Sequence, residues 1–448
     1  MKIVIAGAGE VGSHLAELLS NEADQDVTII DADNSRLTPL EEKNVMTFNG
    51  NPTSIATLKD GAGVDRADLF IAVTPYETDN IVACTLAKRM GAKKTVARVD
   101  NYEYIAPEND SFFRELGVTQ RIYPEYHAAQ DILMALRYPW TRNIFEIHNG
   151  EIVIVGVKIR ENAENIVNKS LIEVGRNADR SFHISAIKRD NQTIIPNGRD
   201  EILAEDIIYI STTADKVDSL VKLCGKESPH IENVIIMGGN KIAVQVANAD
   251  KFKEFNIKII EKDYERSQKL AELCPNCEII HGNGRDLDLL EAEGIEESDA
   301  FIALSNNSEA NILACITAKN YGVLKTIAEV ENVQFINEAD YLNIGNVINK
   351  RLIASSRIYQ LLLDTDVESE KCMSLADVEI AEIVVKENAK ITRSLVKDLK
   401  ISNEITIAGL IRNNQGIPVT GNTQILPGDS VVVFYLNGAM NKVVKLFS

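Results

Sequence analysis

Three glycines near the start, Gly7, Gly9 and Gly12, stand in G-x-G-x-x-G spacing between the apolar run "KIVIA" and the amphipathic run "EVGSHLAELL". A strand that turns sharply into a helix aims backbone N–H groups and the positive end of the helix dipole at one point, and the chemistry of such a point is anion binding. Gly7 permits the tight turn, Gly9 lets the backbone approach a pyrophosphate, and Gly12 allows close packing, while Glu10 and Val11 open the helix that faces the anion. Asp31 ends the second apolar run, 19 residues after Gly12. A carboxylate there accepts hydrogen bonds from adenosine ribose hydroxyls and repels a 2′-phosphate. The following "ADNS" brings no immediate arginine, so NAD(H) or another adenine nucleotide fits better than NADP.

Other residues fall where strands end around the same point. Thr74 closes the fourth run, "LFIAVT", at the switch point where ligands lie in open parallel sheets. Arg98 ends the fifth, "TVARV", as the nearby cation for a phosphate, with a surface salt bridge as its other reading. Asn51, in "FNGNPTS" after the third run, is placed to meet an adenine edge.

Further constellations carry less. "CPNC", Cys274 to Cys277, has redox spacing, but it follows a helical run and precedes a strand, so two thiols in a turn is the simpler reading. Six cysteines and six histidines show neither a disulfide framework nor metal-ligand spacing. Tyr321 stands four residues before Lys325, the interval of a short-chain dehydrogenase pair, but in a helix-to-strand turn. No catalytic residues are expected. An NAD-dependent oxidoreductase is the competing function and a thiol redox sensor a third.

The elements that position these residues belong to a long chain. At 448 residues and 45% hydrophobic it has material for several cores. A formal charge of −19 excludes the basic footprint of a nucleic-acid partner. No apolar stretch reaches membrane-spanning length, and the N-terminus passes directly into the glycine loop, so a cytoplasmic protein is expected.

The chain also repeats itself. At an offset of 231 residues Gly7 meets Gly238, Thr74 meets Ser305, Asn80 meets Asn311, Cys84 meets Cys315 and Arg98 meets Glu329. Five strand runs alternate with helical runs in each copy, which predicts an α/β fold with two Rossmann-like parallel-sheet domains. Each gives way to a small α+β module, in which "ILAEDIIYI" and "ILPGDSVVV" superpose Asp206 on Asp429. The expected domains are 1–137, 144–224, 231–363 and 372–448. Linker helices, "PEYHAAQDILMALRYPW" and "NKRLIASSRIYQLLLD", join large to small, either as core helices or as pairing surfaces. The second glycine loop is worn: Gly9 and Gly12 become Asn240 and Ala243, while the ribose acid survives as Glu261. Its scaffold is kept and its phosphate cradle is not.

"GAGEVGSHLAELL", "VTIIDAD", "FNGNPTS", "IAVTPYETDNIVACTLAKRMGAK" and "VARVDN" resemble the nucleotide-binding domain of K⁺-conductance-regulating proteins, the RCK or KTN domain. The tandem order, with "IPNGRDEILAEDIIYI" and "LPGDSVVVF" in the small modules, is similar to that of the peripheral cytosolic subunits of Trk-type potassium uptake systems. The resemblance implies a homotetramer on the inner face of the membrane that presents eight such domains to a membrane potassium-translocating subunit. It also implies a change of shape with NAD(H) or ATP/ADP. Two positions depart from the family pattern. Asn51 and Asn283 stand where Asp is frequent, and Glu10 stands where some relatives carry Arg to meet a triphosphate.

Overall fold

The computed structural model describes residues 1–448 apart from 21–24, 177–180, 191, 251–253, 333, 363–371, 376–377, 437 and 448. The first parallel sheet contains β1 (Lys2–Ala6), β2 (Asp26–Asp31), β3 (Met46–Asn49), β4 (Leu69–Ala72), β5 (Lys94–Arg98) and β6 (Gln120–Ile122). Their order is β3-β2-β1-β4-β5-β6, so β1 lies between β2 and β4 and the direction of winding reverses beside it. The crossovers carry α1 (Glu10–Ser20), the short α2 (Asn34–Leu37), α3 (Glu77–Met90) and α4 (Asp110–Leu116), and α5 (Pro124–Arg137) follows. Ile3, Val4, Ile5, Phe70 and Ile71 are fully buried, as strands covered on both faces must be. The five strand runs of the sequence are present. The sixth, β6, is three residues long and too short to announce itself by periodicity.

The second parallel sheet repeats the first, with its strands in the order Glu278–His281, Asn256–Glu261, Asn233–Met237, Ala300–Ala303, Lys325–Glu329, Asn346–Ile348. The small antiparallel module between them holds β7 (Asn143–Ile147), β8 (Ile152–Lys158), β9 (Lys169–Ser170), α6 (Leu171–Arg176), β10 (Phe182–Arg189), β11 (Gln192–Ile194), β12 (Glu201–Ile202), β13 (Ile207–Thr212) and α7 (Val217–Leu223). The second sheet and its helices are β14 (Asn233–Met237), α8 (Lys241–Asn248), β15 (Asn256–Glu261), α9 (Tyr264–Leu273), β16 (Glu278–His281), α10 (Leu287–Ala292), β17 (Ala300–Ala303), α11 (Ser308–Asn320), β18 (Lys325–Glu329), α12 (Gln334–Tyr341) and β19 (Asn346–Ile348), with α13 (Lys350–Leu362) after them. The last module is β20 (Cys372–Leu375), β21 (Val378–Val384), β22 (Ile405–Arg412), β23 (Gln415–Pro418), β24 (Ser430–Leu436) and α14 (Met440–Phe447).

The two aspartates that align the small modules perform one structural task. Asp206 takes a bidentate guanidinium from Arg189 at 2.7 and 2.8 Å, and Asp429 takes one from Arg412 at 2.7 Å on both oxygens. Each also accepts a backbone N–H three residues upstream, from Leu203 and Leu426 respectively. A buried carboxylate needs that full set of donors. The faces of the two modules that carry Ile152, Ile154, Tyr209, Ile380, Val432 and Phe434 form one apolar cluster.

Sequence order and compactness diverge at the linker helices. One compact unit is Met1–Ala128 together with Asn349–Leu362; the other is Ala129–Ile348 with Leu363–Ser448. Helix α13, which ends the second repeat, therefore packs in the first unit, against α1 and β6. Conversely, the end of α5 docks on the edge of the second sheet. Asn346 donates to the carbonyl of Arg142 at 2.7 Å, Lys325 donates to those of Pro139 and Thr141, and Arg137 lies 3.7 Å from Glu254. The linker helix of the second repeat thus belongs to the first unit, while α5 spans both, Pro124–Ala128 in one and Ala129–Arg137 in the other.

Candidate functional site

β1 delivers the chain into Gly7 at φ +106°, a conformation that favours glycine, and a Cβ there would stand only 3.0 Å from the Thr74 backbone nitrogen. A Cβ at Gly12 would collide with the carbonyl oxygen of Gly7. Gly9 differs from both: a Cβ there would meet nothing within 4 Å. The fold itself does not require glycine at that position, and the open space is on the side where the backbone must meet a ligand. The first N–H groups of α1 lack intrahelical acceptors, as at any helix start, and Gly9 has no side chain to cap them.

Asp31 holds this loop. Its Oδ2 accepts the Ala8 N–H at 2.6 Å and its Oδ1 accepts that of Asp33 at 2.8 Å. Each carboxylate oxygen retains acceptor capacity for a ribose hydroxyl. Thr74 is fixed by Asn80, whose Oδ1 accepts from the Thr74 N–H at 2.9 Å and from its hydroxyl at 2.7 Å. The Asn80 amide donates to the carbonyls of Thr74 and Arg98, at 3.0 and 2.9 Å, and so bolts the ends of β4 and β5 together. Asn80 is fully buried. The sequence marks it only as a repeated residue; its task emerges from the fold.

Arg98 sits at the end of β5, but its guanidinium lies 3.3 Å from Glu125 at the start of α5. Asn51 turns back on itself, accepting from the N–H and hydroxyl of Thr53 at 2.9 and 2.8 Å. Two other arginines rim the cleft over the glycine loop, a space of about 590 Å³ lined by Gly9, Glu10, Ser13, His14, Arg36 and Arg351 among others. Arg36 lies five residues past Asp31, beyond the stretch read for a phosphate-binding cation. The repeat offers the signal for it, because Arg266 stands five residues past Glu261. Arg351 comes from α13 and contacts Glu10 at 3.2 Å. Burial, and next the Arg351 charge, lower the pKa of His14 and favour its neutral form.

The second loop has the same frame and different contents. Glu261 accepts the N–H groups of Gly239 and Asp263 at 2.8 and 2.9 Å, as Asp31 does in the first repeat. Ser305 and Asn311 reproduce Thr74 and Asn80, down to the bond from Asn311 to the Glu329 carbonyl at 2.8 Å. Asn240, at the position of Gly9, caps α8: its Oδ1 accepts from the N–H groups of Ile242 and Ala243 at 3.0 and 3.1 Å. Its amide donates to Glu329 Oε2 at 2.7 Å. The acceptor that a phosphate would supply is thus built into the chain. The remaining cleft, about 280 Å³, is lined by Gly239, Glu261, Lys262, Arg266, Asn283 and Arg285 among others.

The remaining candidates separate from these clefts. Cys274 and Cys277 lie in the turn between α9 and β16, where burial pushes the Cys274 thiol up to about 11 and raises that of Cys277. Neither is an activated thiolate. Tyr321 donates to Glu291, while Lys325 is buried against the Pro139 and Thr141 carbonyls, its pKa drawn down to about 7, chiefly by burial. The two side chains serve different partners. Among the described residues no group of three or more His, Cys, Asp or Glu could hold a metal ion, and no helix is long and apolar enough to cross a membrane.

The TrkA-N domain family matches residues 3–124 and 234–350, and the TrkA-C domain family matches residues 154–225 and 380–448. The chain belongs to the TrkA family. Among its relatives, a Trk system potassium uptake protein TrkA homolog of Archaeoglobus fulgidus is 29% identical over 452 residues and all of both chains. The Trk system potassium uptake protein TrkA of Haemophilus influenzae is 30% identical over 462 residues, covering 100% of this chain and 98% of its own. In solved structures the fold is similar to the GsuK RCK domain, with a TM-score of 0.63 at 14% identity over 100% of this chain and 94% of the other. It is also similar to the GsuK channel bound to NAD, with a TM-score of 0.63 at 14% identity, over 100% of this chain and 78% of that one. The two Rossmann-like domains, each followed by a small module, are therefore the TrkA-N and TrkA-C pairs of this family.

Proposed function

We propose that this chain is a cytoplasmic nucleotide-sensing regulatory subunit that gates a membrane potassium-translocating partner, and that NAD(H), with ATP or ADP as further ligands, binds the first TrkA-N domain. The observation that carries this reading is the difference between the two loops. Gly9 leaves open space before the start of α1 and has no side chain to cap it, whereas Asn240 supplies its own acceptor to the equivalent N–H groups. One half senses and the other relays. Gly7, Gly9, Glu10, Val11 and Gly12 form the phosphate cradle, Asp31 takes the ribose, and Thr74 lines the switch point. Arg98 and Asn51 serve this site only on exchanging their present partners, Glu125 and Thr53. Glu261 offers the second cleft to an uncharged or less anionic adenosine ligand.

Support for the partner comes from the names of the relatives, which are potassium uptake proteins, and support for the ligand comes from the NAD-bound GsuK channel. The subunit works as a homotetramer, peripheral on the inner face of the membrane through its partner, with domains 1–137, 144–224, 231–363 and 372–448. Purification of the tagged chain from its own cells, with and without NAD⁺ or NADH, tests the reading. A potassium-translocating membrane protein should co-purify in nucleotide-dependent amount. Turnover of carbonyl substrates with NADH oxidation above background would instead support the oxidoreductase.

A further inference from the structure

Arg351 belongs in sequence to the second repeat and in space to the first cleft. It is the second residue of α13, the linker helix that lies on α1, and its guanidinium reaches the head of the glycine loop. One nitrogen, Nη2, lies 3.2 Å from Glu10 Oε2. A second, Nε, is buried and has no hydrogen-bond partner among the described residues. The Arg351 side chain is 24% exposed and that of Glu10 is 61% exposed, so a half-sheltered fork faces a mostly solvated carboxylate.

That pairing is a weak use of a strong group. An ion pair with a solvated carboxylate contributes little, because water screens it and the long side chains must be ordered. A guanidinium presents parallel donors that match two oxygens of a phosphate, and charge-assisted bonds of that kind are about twice as strong as neutral ones. A donor left unsatisfied inside the protein adds to the demand for a better acceptor. Arg351 lines the same cleft as Gly9 and the start of α1, where the helix dipole also favours an anion.

Resting on the reading of the first cleft as a nucleotide site, we propose that Arg351 is a phosphate-contacting residue of that site, parked on Glu10 when no ligand is bound. A nucleoside polyphosphate over the loop replaces Glu10 as its partner. This contact ties a residue that belongs in sequence to the second repeat to the occupancy of the first cleft. The ligand class is set by the phosphates, not by the base or the nicotinamide.

Isothermal titration of the full chain carrying Glu261→Ala, which removes the carboxylate proposed to hold adenosine in the second cleft, with NAD⁺ and, separately, with adenosine tests the proposal. Arg351→Ala should weaken NAD⁺ roughly tenfold or more and leave adenosine within about twofold, with Arg351→Lys between the wild type and Arg351→Ala. The ratio of the two affinities is the readout, since a disturbed helix would weaken both ligands alike. Equal losses for NAD⁺ and adenosine, or no loss for either, would overturn the role of Arg351. A wild-type chain that binds no NAD⁺ would overturn the nucleotide reading itself, which is a different result.

Discussion

Asn240 donates a 2.7 Å hydrogen bond to Glu329, whereas the residues they replace, Gly9 and Arg98, have no such link. One pair of substitutions caps the second helix, places a carboxylate against the cap, and fills the position proposed for a phosphate in the first repeat. Glu329 is only 2% exposed, so the carboxylate depends on donors such as the Asn240 amide.

The closed cradle should reopen when both residues are changed together. Asn240→Gly with Glu329→Gln removes the built-in acceptor and the buried charge, and the double variant should take up a phosphate-bearing adenine nucleotide in its second half. Asn240→Ala alone should instead destabilise the chain by about 1 kcal/mol, the usual cost of losing a helix cap, with a further penalty for Glu329. Binding stoichiometry and urea denaturation measure these two outcomes.

Asn80→Ala should be among the more damaging substitutions outside the apolar core. It removes four hydrogen bonds and leaves the Thr74 N–H and the Arg98 carbonyl without their partner. A loss of roughly 2–4 kcal/mol is expected, from several bonds of about 1 kcal/mol each plus burial of unpaired groups. Denaturant midpoints measure it, and Asn311→Ala should cost a similar amount.

Acid should destabilise the chain through two partly buried histidines, His127 and His183. Burial, with Arg357 adding to it, lowers the pKa of His127 to about 3, and burial lowers that of His183 to about 4. Between these values and the ordinary 6.5 the unfolded chain binds protons that the folded chain does not. Stability is therefore fully present above pH 6.5 and declines as pH falls, by up to about 1.4 kcal/mol per pH unit for each such histidine. His127→Phe should flatten the dependence measured by denaturation between pH 4.5 and 6.5.

Much of this was legible from spacing. Residues that repeat at a fixed interval locate both sheets, both glycine loops and the paired small modules, because each repeat must bury the same strands. The replacement of Gly9 and Arg98 by Asn240 and Glu329 in the second repeat was equally visible. Three features were not. Glu125 captures Arg98 from a different element, and a sequence lists cations without their partners. The apolar faces of α5 and α13 show that each helix packs, but not that α13 packs on α1. Arg351 lies more than three hundred residues from the loop it approaches, so only the packing of α13 on α1 reveals it.

The central claim is that one chain has one working dinucleotide site, and the binding stoichiometry of NAD⁺ tests it most directly. Calorimetry should give one NAD⁺ per chain. Asp31→Ala should weaken it by about 1.5–3 kcal/mol, or roughly ten- to a hundredfold, through loss of charge-assisted ribose bonds, while Glu261→Ala should leave it unchanged. Two NAD⁺ per chain, reduced to one by Glu261→Ala, would contradict the account.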